Sequence, residues 1–188
     1  MKNLLRTSFF CAAVSLALLT NSHAGNSPPG YADFGKFSPS GSGEFVEVQI
    51  ESNIIGMVAR LVEKEEPEIA QLIRGLQMIH VNVIGLDDKN REEVTQRIGK
   101  ITDKLDGDGW KRMVMVQEKG QSVNVFTKTR GDESVEGIAL TVLEGTKHAV
   151  LVNIVGDIKP EKLAVIGEKF HINPLKELGG KFQKGPSH

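Results

Sequence analysis

The chain reads as an α+β domain: a single, mostly antiparallel sheet of about six strands with helices packed on it. Two observations lead there. The stretch from Arg112 to Ile158 is built of short runs rich in Val, Ile, Phe and Leu, separated by glycine-containing turns, as hairpin-linked strands require. Ahead of it, segments with apolar residues at helical spacing alternate with two segments of strict period-two alternation. Helices mixed with a run of hairpins favour one sheet with helices laid against it, in the order β-α-β-α-β-β-β-β-α.

Met1 to Ala24 has the form of a secretory signal peptide. Lys2 and Arg6 supply a basic start, Ser8 to Leu19 an apolar centre, and Ser22-His23-Ala24 a small-x-small cleavage site. The apolar centre is shorter than the roughly 20 residues that a membrane span needs. The expected product is periplasmic or secreted, cleaved after Ala24, and soluble. Cys11 is the chain's one cysteine. It follows Phe9-Phe10 and comes too early to be a lipidation site, so a lipid anchor through it is not expected. Cleavage would remove it and, with it, all disulfide and thiol chemistry. Loss of Lys2 and Arg6 would also take the formal charge from −1 to −3. That balance argues against nucleic acid as a partner. No later apolar stretch is long enough to be a transmembrane segment.

Residues 25–43 are rich in Gly, Pro and Ser and read as a flexible linker; its large apolar residues, Tyr31, Phe34 and Phe37, either dock on the domain or, as the composition favours, belong to an unstructured arm. A single domain is expected over 44–172. Glu44 to Ile50 alternates, with Val46, Val48 and Ile50 inward, as a strand with one wet face does. Ser52 is placed to cap a helix whose stripe is Ile54, Ile55, Val58, Leu61 and Val62. Pro67 opens a second helical segment carrying Ile69, Leu72, Ile73 and Leu76. Met78 to Ile84 alternates again, putting Ile79, Val81 and Val83 on one side and His80 and Asn82 on an exposed one. Asn90 with Glu93 matches a capping box. The helix behind it buries Val94, Ile98, Ile101 and Leu105 and turns Glu92, Arg97, Lys100 and Lys104 to water.

Within the run of strands, two-residue loops are expected at Lys119-Gly120 and Gly145-Thr146. The first sets Val116 opposite Val123 and Val114 opposite Val125 on one face. Met113 then faces Phe126, and Met115 faces Asn124, on the other. The second hairpin is apolar on both sides, which belongs at the middle of a sheet. Pro160 begins a last helix with Leu163, Val165, Ile166 and Phe170, and residues 173–188 form a frayed tail.

The motifs that carry chemistry fail on spacing. No His lies at i, i+3 or i+4 from another His, so no local metal motif exists. Asp106-Gly107-Asp108-Gly109 would need a ligand where Lys104 stands and a bidentate Glu where Met115 stands, so it reads as a helix-ending turn. Gly99-Lys100 lacks the rest of a phosphate loop. Arg130-Gly131-Asp132 is an ordinary polar turn. No cofactor is implied. Two readings of function remain: a non-enzymatic binding or interaction domain, accessory to envelope homeostasis, or a small hydrolase-type enzyme assembled only in space. The candidate interaction surface is Met113, Met115 and Phe126, for an unidentified envelope protein or for self-association.

The wording of several segments resembles a known bacterial family. The segments are FVEVQI (Phe45 to Ile50), LIRGLQMIHVNVIGL (Leu72 to Leu86), DGDGW (Asp106 to Trp110) and VNIVGDI (Val152 to Ile158). Together they are similar to domain of unknown function 4252. The resemblance implies an exported domain of the Gram-negative envelope without an established activity, and so no catalytic residue to carry over. Many members look lipid-anchored; this chain departs from them in lacking a cysteine at its cleavage site.

Overall fold

The computed structural model describes residues 27–38, 44–131, 134–159 and 162. The expected leader, the greater part of the last helix (163–170) and the tail lie outside these residues. Six strands and three helices follow in the order β1 Phe45–Glu51, α1 Ser52–Val62, α2 Pro67–Arg74, β2 Leu76–Gly85, α3 Arg91–Gly107, β3 Lys111–Glu118, β4 Gln121–Arg130, β5 Ser134–Glu144 and β6 His148–Ile158. They form one open antiparallel sheet, ordered β1-β2-β6-β5-β4-β3, with the β5–β6 hairpin at its middle as its two-sided apolar pattern requires.

Helices lie on both faces. On one face Ile55 of α1 and Leu72 of α2 pack with Val125, Ile138, Leu140, Ile154 and Ile158. On the other, Val94, Ile98, Ile101 and Leu105 of α3 pack with Trp110, Phe126, Ala139, Ala149 and Leu151. The α3 stripe is thus the one read from its spacing, with one change: Arg97 is half-buried rather than turned to water.

Arg97 is half-buried because residues 27–38 are docked rather than unstructured. Phe34 is 2% exposed and Ala32 1%. Asn153 of β6 holds the strap like a short strand: its Oδ1 accepts from Ala32 N at 3.0 Å, and its Nδ2 donates to Gly30 O and Ile138 O, each at 3.1 Å. Gly30 and Gly137 let the two backbones meet, since a Cβ on Gly137 would stand 2.3 Å from Gly30 O. Arg97 donates to Lys36 O and stacks its guanidinium 3.8 Å over the Phe37 ring. Asp33 accepts from Gly35 N at 2.8 Å and meets Lys104 at 3.4 Å. The backbone bond from Gly35, with lesser help from Lys104, holds its carboxyl below the usual carboxylate range.

Local details also depart from the sequence reading. Glu51 rather than Ser52 is the N-cap of α1, and no side chain caps it. Asn90 forms no capping box. Its Oδ1 accepts from Asp87 N and its Nδ2 donates to Gly85 O, so it ties the incoming turn to the strand instead. The β5–β6 loop has three residues, Gly145 to Lys147, closed by Lys147 N donating to Glu144 O at 2.9 Å.

Candidate functional site

Strand register decides which side chains share a face, and here it builds an unusual one. Val46 pairs with Val83, Val83 with Val150, Val150 with Val142, Val142 with Val123, and Val123 with Val116. Six valines thus form one row across all six strands, on the α1–α2 face. The next row is Val48, Val81, Val152, Leu140, Val125 and Val114. β-Branched side chains of equal height make this a flat apolar wall.

Helix α1, which follows β1 directly, adds exposed apolar residues of its own. Sequence spacing assigned Ile54, Ile55, Val58, Leu61 and Val62 to one buried stripe, but only Ile55 and Ala59 are buried. Ile54, Met57, Val58 and Leu61 recur at i, i+3, i+4 and i+7 as a second, exposed stripe, Leu61 being 80% exposed. Val46 and Val48 are also exposed. A helix of eleven residues resting on a sheet buries one side, and α1 carries enough apolar residues for two.

Met113, Met115 and Phe126 do not come together. A β-bulge between Arg112 and Val114 makes Arg112, not Met113, the partner of Phe126. Met113 is turned to the α1–α2 face beside Val114. Phe126 is fully buried beneath α3, with the Arg112 guanidinium 4.9 Å over its ring. Of the three only Met115 is exposed, at 59%. It borders a cleft of about 210 Å³ between α3 and the β3–β4 hairpin, walled by Thr95, Gly99, Thr102 and Asn124.

His80 and Asn82, expected on an exposed strand face, are 8% and 1% exposed. The strap accounts for this: the Phe34 ring lies over His80, centroids 6.4 Å apart. His80 Nε2 stands 3.0 Å from Glu47 Oε1 and 3.2 Å from the Asn82 side-chain amide. If Nε2 carries the proton and donates to Glu47, Asn82 is better placed with its amide oxygen toward the ring, so that two donors do not face each other. A histidine and a carboxylate therefore meet, the His80 ring beneath the strap and the Glu47 side chain half exposed beside it. Asp106 is paired with Arg112, and no cluster of three or more His, Cys, Asp or Glu side chains able to hold a metal occurs among the described residues. Asp132 lies outside them. No helix among the described residues is long and apolar enough to cross a membrane.

Comparison with known proteins identifies a family. No curated protein and no solved structure matches the chain. A family model described as domain of unknown function (DUF4252) matches residues 40–166, from just before β1 to beyond β6. The chain therefore belongs to the DUF4252 family.

Proposed function

We propose that this is an exported, non-enzymatic interaction domain of the periplasm, accessory to envelope homeostasis, which meets its partner through the apolar side of β1 and α1. One observation carries the reading. Val46, Val48, Ile54, Met57, Val58 and Leu61, all exposed, come from one edge strand and the helix that follows it. Grouped apolar surface on a monomer commonly marks a contact site, and methionine adapts readily to a partner's shape. The leader read from Met1 to Ala24 supports export, with the mature chain starting at Gly25.

The test is capture from an envelope extract with the tagged exported protein, followed by mass spectrometry. Met57→Lys combined with Leu61→Lys should lower recovery of the specific partner at least tenfold, with the thermal midpoint unchanged within a few degrees. Equal recovery with that variant overturns the surface assignment. N-terminal sequencing should begin at Gly25; a product beginning at Cys11 and partitioning into detergent overturns cleavage after Ala24 and the soluble periplasmic product. The hydrolase reading draws its support from the His80–Glu47 pair. It would require a substrate to reach a ring that Phe34 covers.

A further inference from the structure

β1 ends the sheet on one side, and the backbone groups along its outer edge can be named. Gly85 N donates to Glu44 O, and Leu86 N to Lys147 O, each in line with the ladder beyond it. Hydrogen-bonded and non-bonded pairs alternate along an antiparallel ladder. Val46, Val48 and Ile50 therefore turn their N–H and C=O groups to β2, while those of Phe45, Glu47 and Gln49 point away from the sheet. Among the described residues, none bonds to them. The opposite edge is guarded: β3 begins with Lys111 and Arg112 and carries a bulge between Arg112 and Val114. β1 has no lysine, no proline and no break in register.

We infer that the partner on the β1–α1 surface is a second copy of this chain, its β1 added antiparallel to the first about a two-fold axis at Val48. The inference rests on the reading of that surface as a contact site. Because the free groups fall on Phe45, Glu47 and Gln49, these residues must face others of the same phase. With the axis at Val48, Glu47 faces Gln49 of the second copy, Phe45 faces Glu51, and Val48 faces Val48 between them. Sliding the strands by two residues either way would set Glu47 against Glu47 or against Glu51, and like charges directly opposite destabilise a pair. The register with the longest overlap is thus also free of facing carboxylates. Both rows of the wall carry on across the joint, Val46 meeting Ile50 and Val48 meeting Val48.

Helix α1 fits the same axis. Ile55 and Ala59 mark its sheet side, and Glu63, 2.6 Å from Arg74, marks its α2 side. From the turn of a helix, Ile54 lies about 180° around from Glu63, with Val58 and Leu61 beside it. The exposed stripe looks away from α2. Since α1 packs on β1 and β2, and α2 on β2, that direction leads out over the β1 edge. A helix above the β1–β2 seam stands about 5 Å from the axis, one strand spacing. Two copies bring their α1 axes about 10 Å apart, a packing distance for helices, with Ile54, Val58 and Leu61 between them. One strand pair and two short stripes make a small interface, so the dimer is reversible and dissociates on dilution.

Sedimentation equilibrium of the exported protein should show monomers passing into dimers as concentration rises. Gln49→Pro removes an outward N–H without touching the β1–β2 ladder. It should weaken the dimer at least tenfold while the monomer keeps its melting transition. Val48→Cys, made with Cys11→Ser, should give a covalent dimer under copper phenanthroline. A non-bonded pair holds its Cα atoms about 4.5 Å apart, within disulfide reach. Val46→Cys, which faces Ile50, should not crosslink. A dimer that survives Gln49→Pro overturns the proposal, as does crosslinking that is equal at the two positions or absent from both. Should Gln49→Pro prevent folding, the two cysteine variants decide the matter. A monomer at every concentration overturns it as well. If Met57→Lys with Leu61→Lys still lowers capture of another protein in that case, the surface stands and only its occupant is wrong.

Discussion

Asn153 holds an otherwise irregular segment against the sheet, and both of its amide donors and its amide oxygen are engaged. It is fully buried, with one bond accepted and two donated. Asn153→Ala removes all three and leaves Ala32 N–H and Gly30 C=O without this partner. A loss of about 2–4 kcal/mol is expected from such bonds at a buried site. Urea unfolding measures it, and limited proteolysis between residues 27 and 38 should quicken in parallel. An unchanged midpoint would mean that the strap contributes nothing to stability. Asn153 carries no signal in the sequence, where an Asn within an apolar strand has many readings. His80 was misplaced for a related reason. Its alternation with Ile79 and Val81 was legible, but the strap that buries it comes from a segment whose Gly, Pro and Ser content suggests no structure. Composition records the average tendency of a stretch. The two glycines and two aromatic rings that fit a complementary surface lie beneath that average.

Elements were legible where periodicity set them and obscure where one residue broke the period. The Val114–Val125 and Val116–Val123 pairs follow from the Lys119-Gly120 turn alone. A single bulged residue at Met113 then turns its side chain away from Phe126, so the expected Met113–Met115–Phe126 surface never forms. Alternation cannot reveal a bulge in a run that is apolar on both sides. Helix α1 shows the converse: its stripe was found, but a stripe does not say how much of itself a sheet can bury. The strap and β5 meet through glycine in a way that admits a test. A Cβ at Gly137 would lie 2.3 Å from Gly30 O and 2.5 Å from Gly30 Cα, both backbone atoms that cannot swing aside. Gly137→Ala should therefore lift the strap locally at about 1–3 kcal/mol, the usual range for overpacking. Hydrogen exchange at Ala32 N–H should accelerate at least tenfold while the β5–β6 ladder keeps its protection. Retained protection at Ala32 would show that the close approach relaxes without displacing the strap.

At the scale of the whole molecule, the α+β class and six-stranded antiparallel sheet were legible because four hairpin-linked strands and two alternating ones leave few other arrangements. Which face each helix takes was not, since a strand apolar on both sides pairs equally well with either. The two faces now differ in what a substitution should do. On the α3 face, α3 is the one helix among the described residues, and Ile101 sits 7% exposed with Ile98, Leu105 and Val94 in the same cluster. Ile101→Asp puts an unpaired carboxylate there, at a cost of about 3–5 kcal/mol. A domain of this size has about 5–15 kcal/mol in total. Cooperative melting should vanish or fall by about 10 °C or more, taking the strap with it, because Arg97 and Lys104 reach the strap from the same helix. Leu61→Lys, on a residue 80% exposed on the other face, should leave the same transition in place. Calorimetry of the two variants side by side separates a helix that holds the core from one that offers a surface. If Ile101→Asp melts like the unaltered protein, the α3 face is not the core that the packing describes.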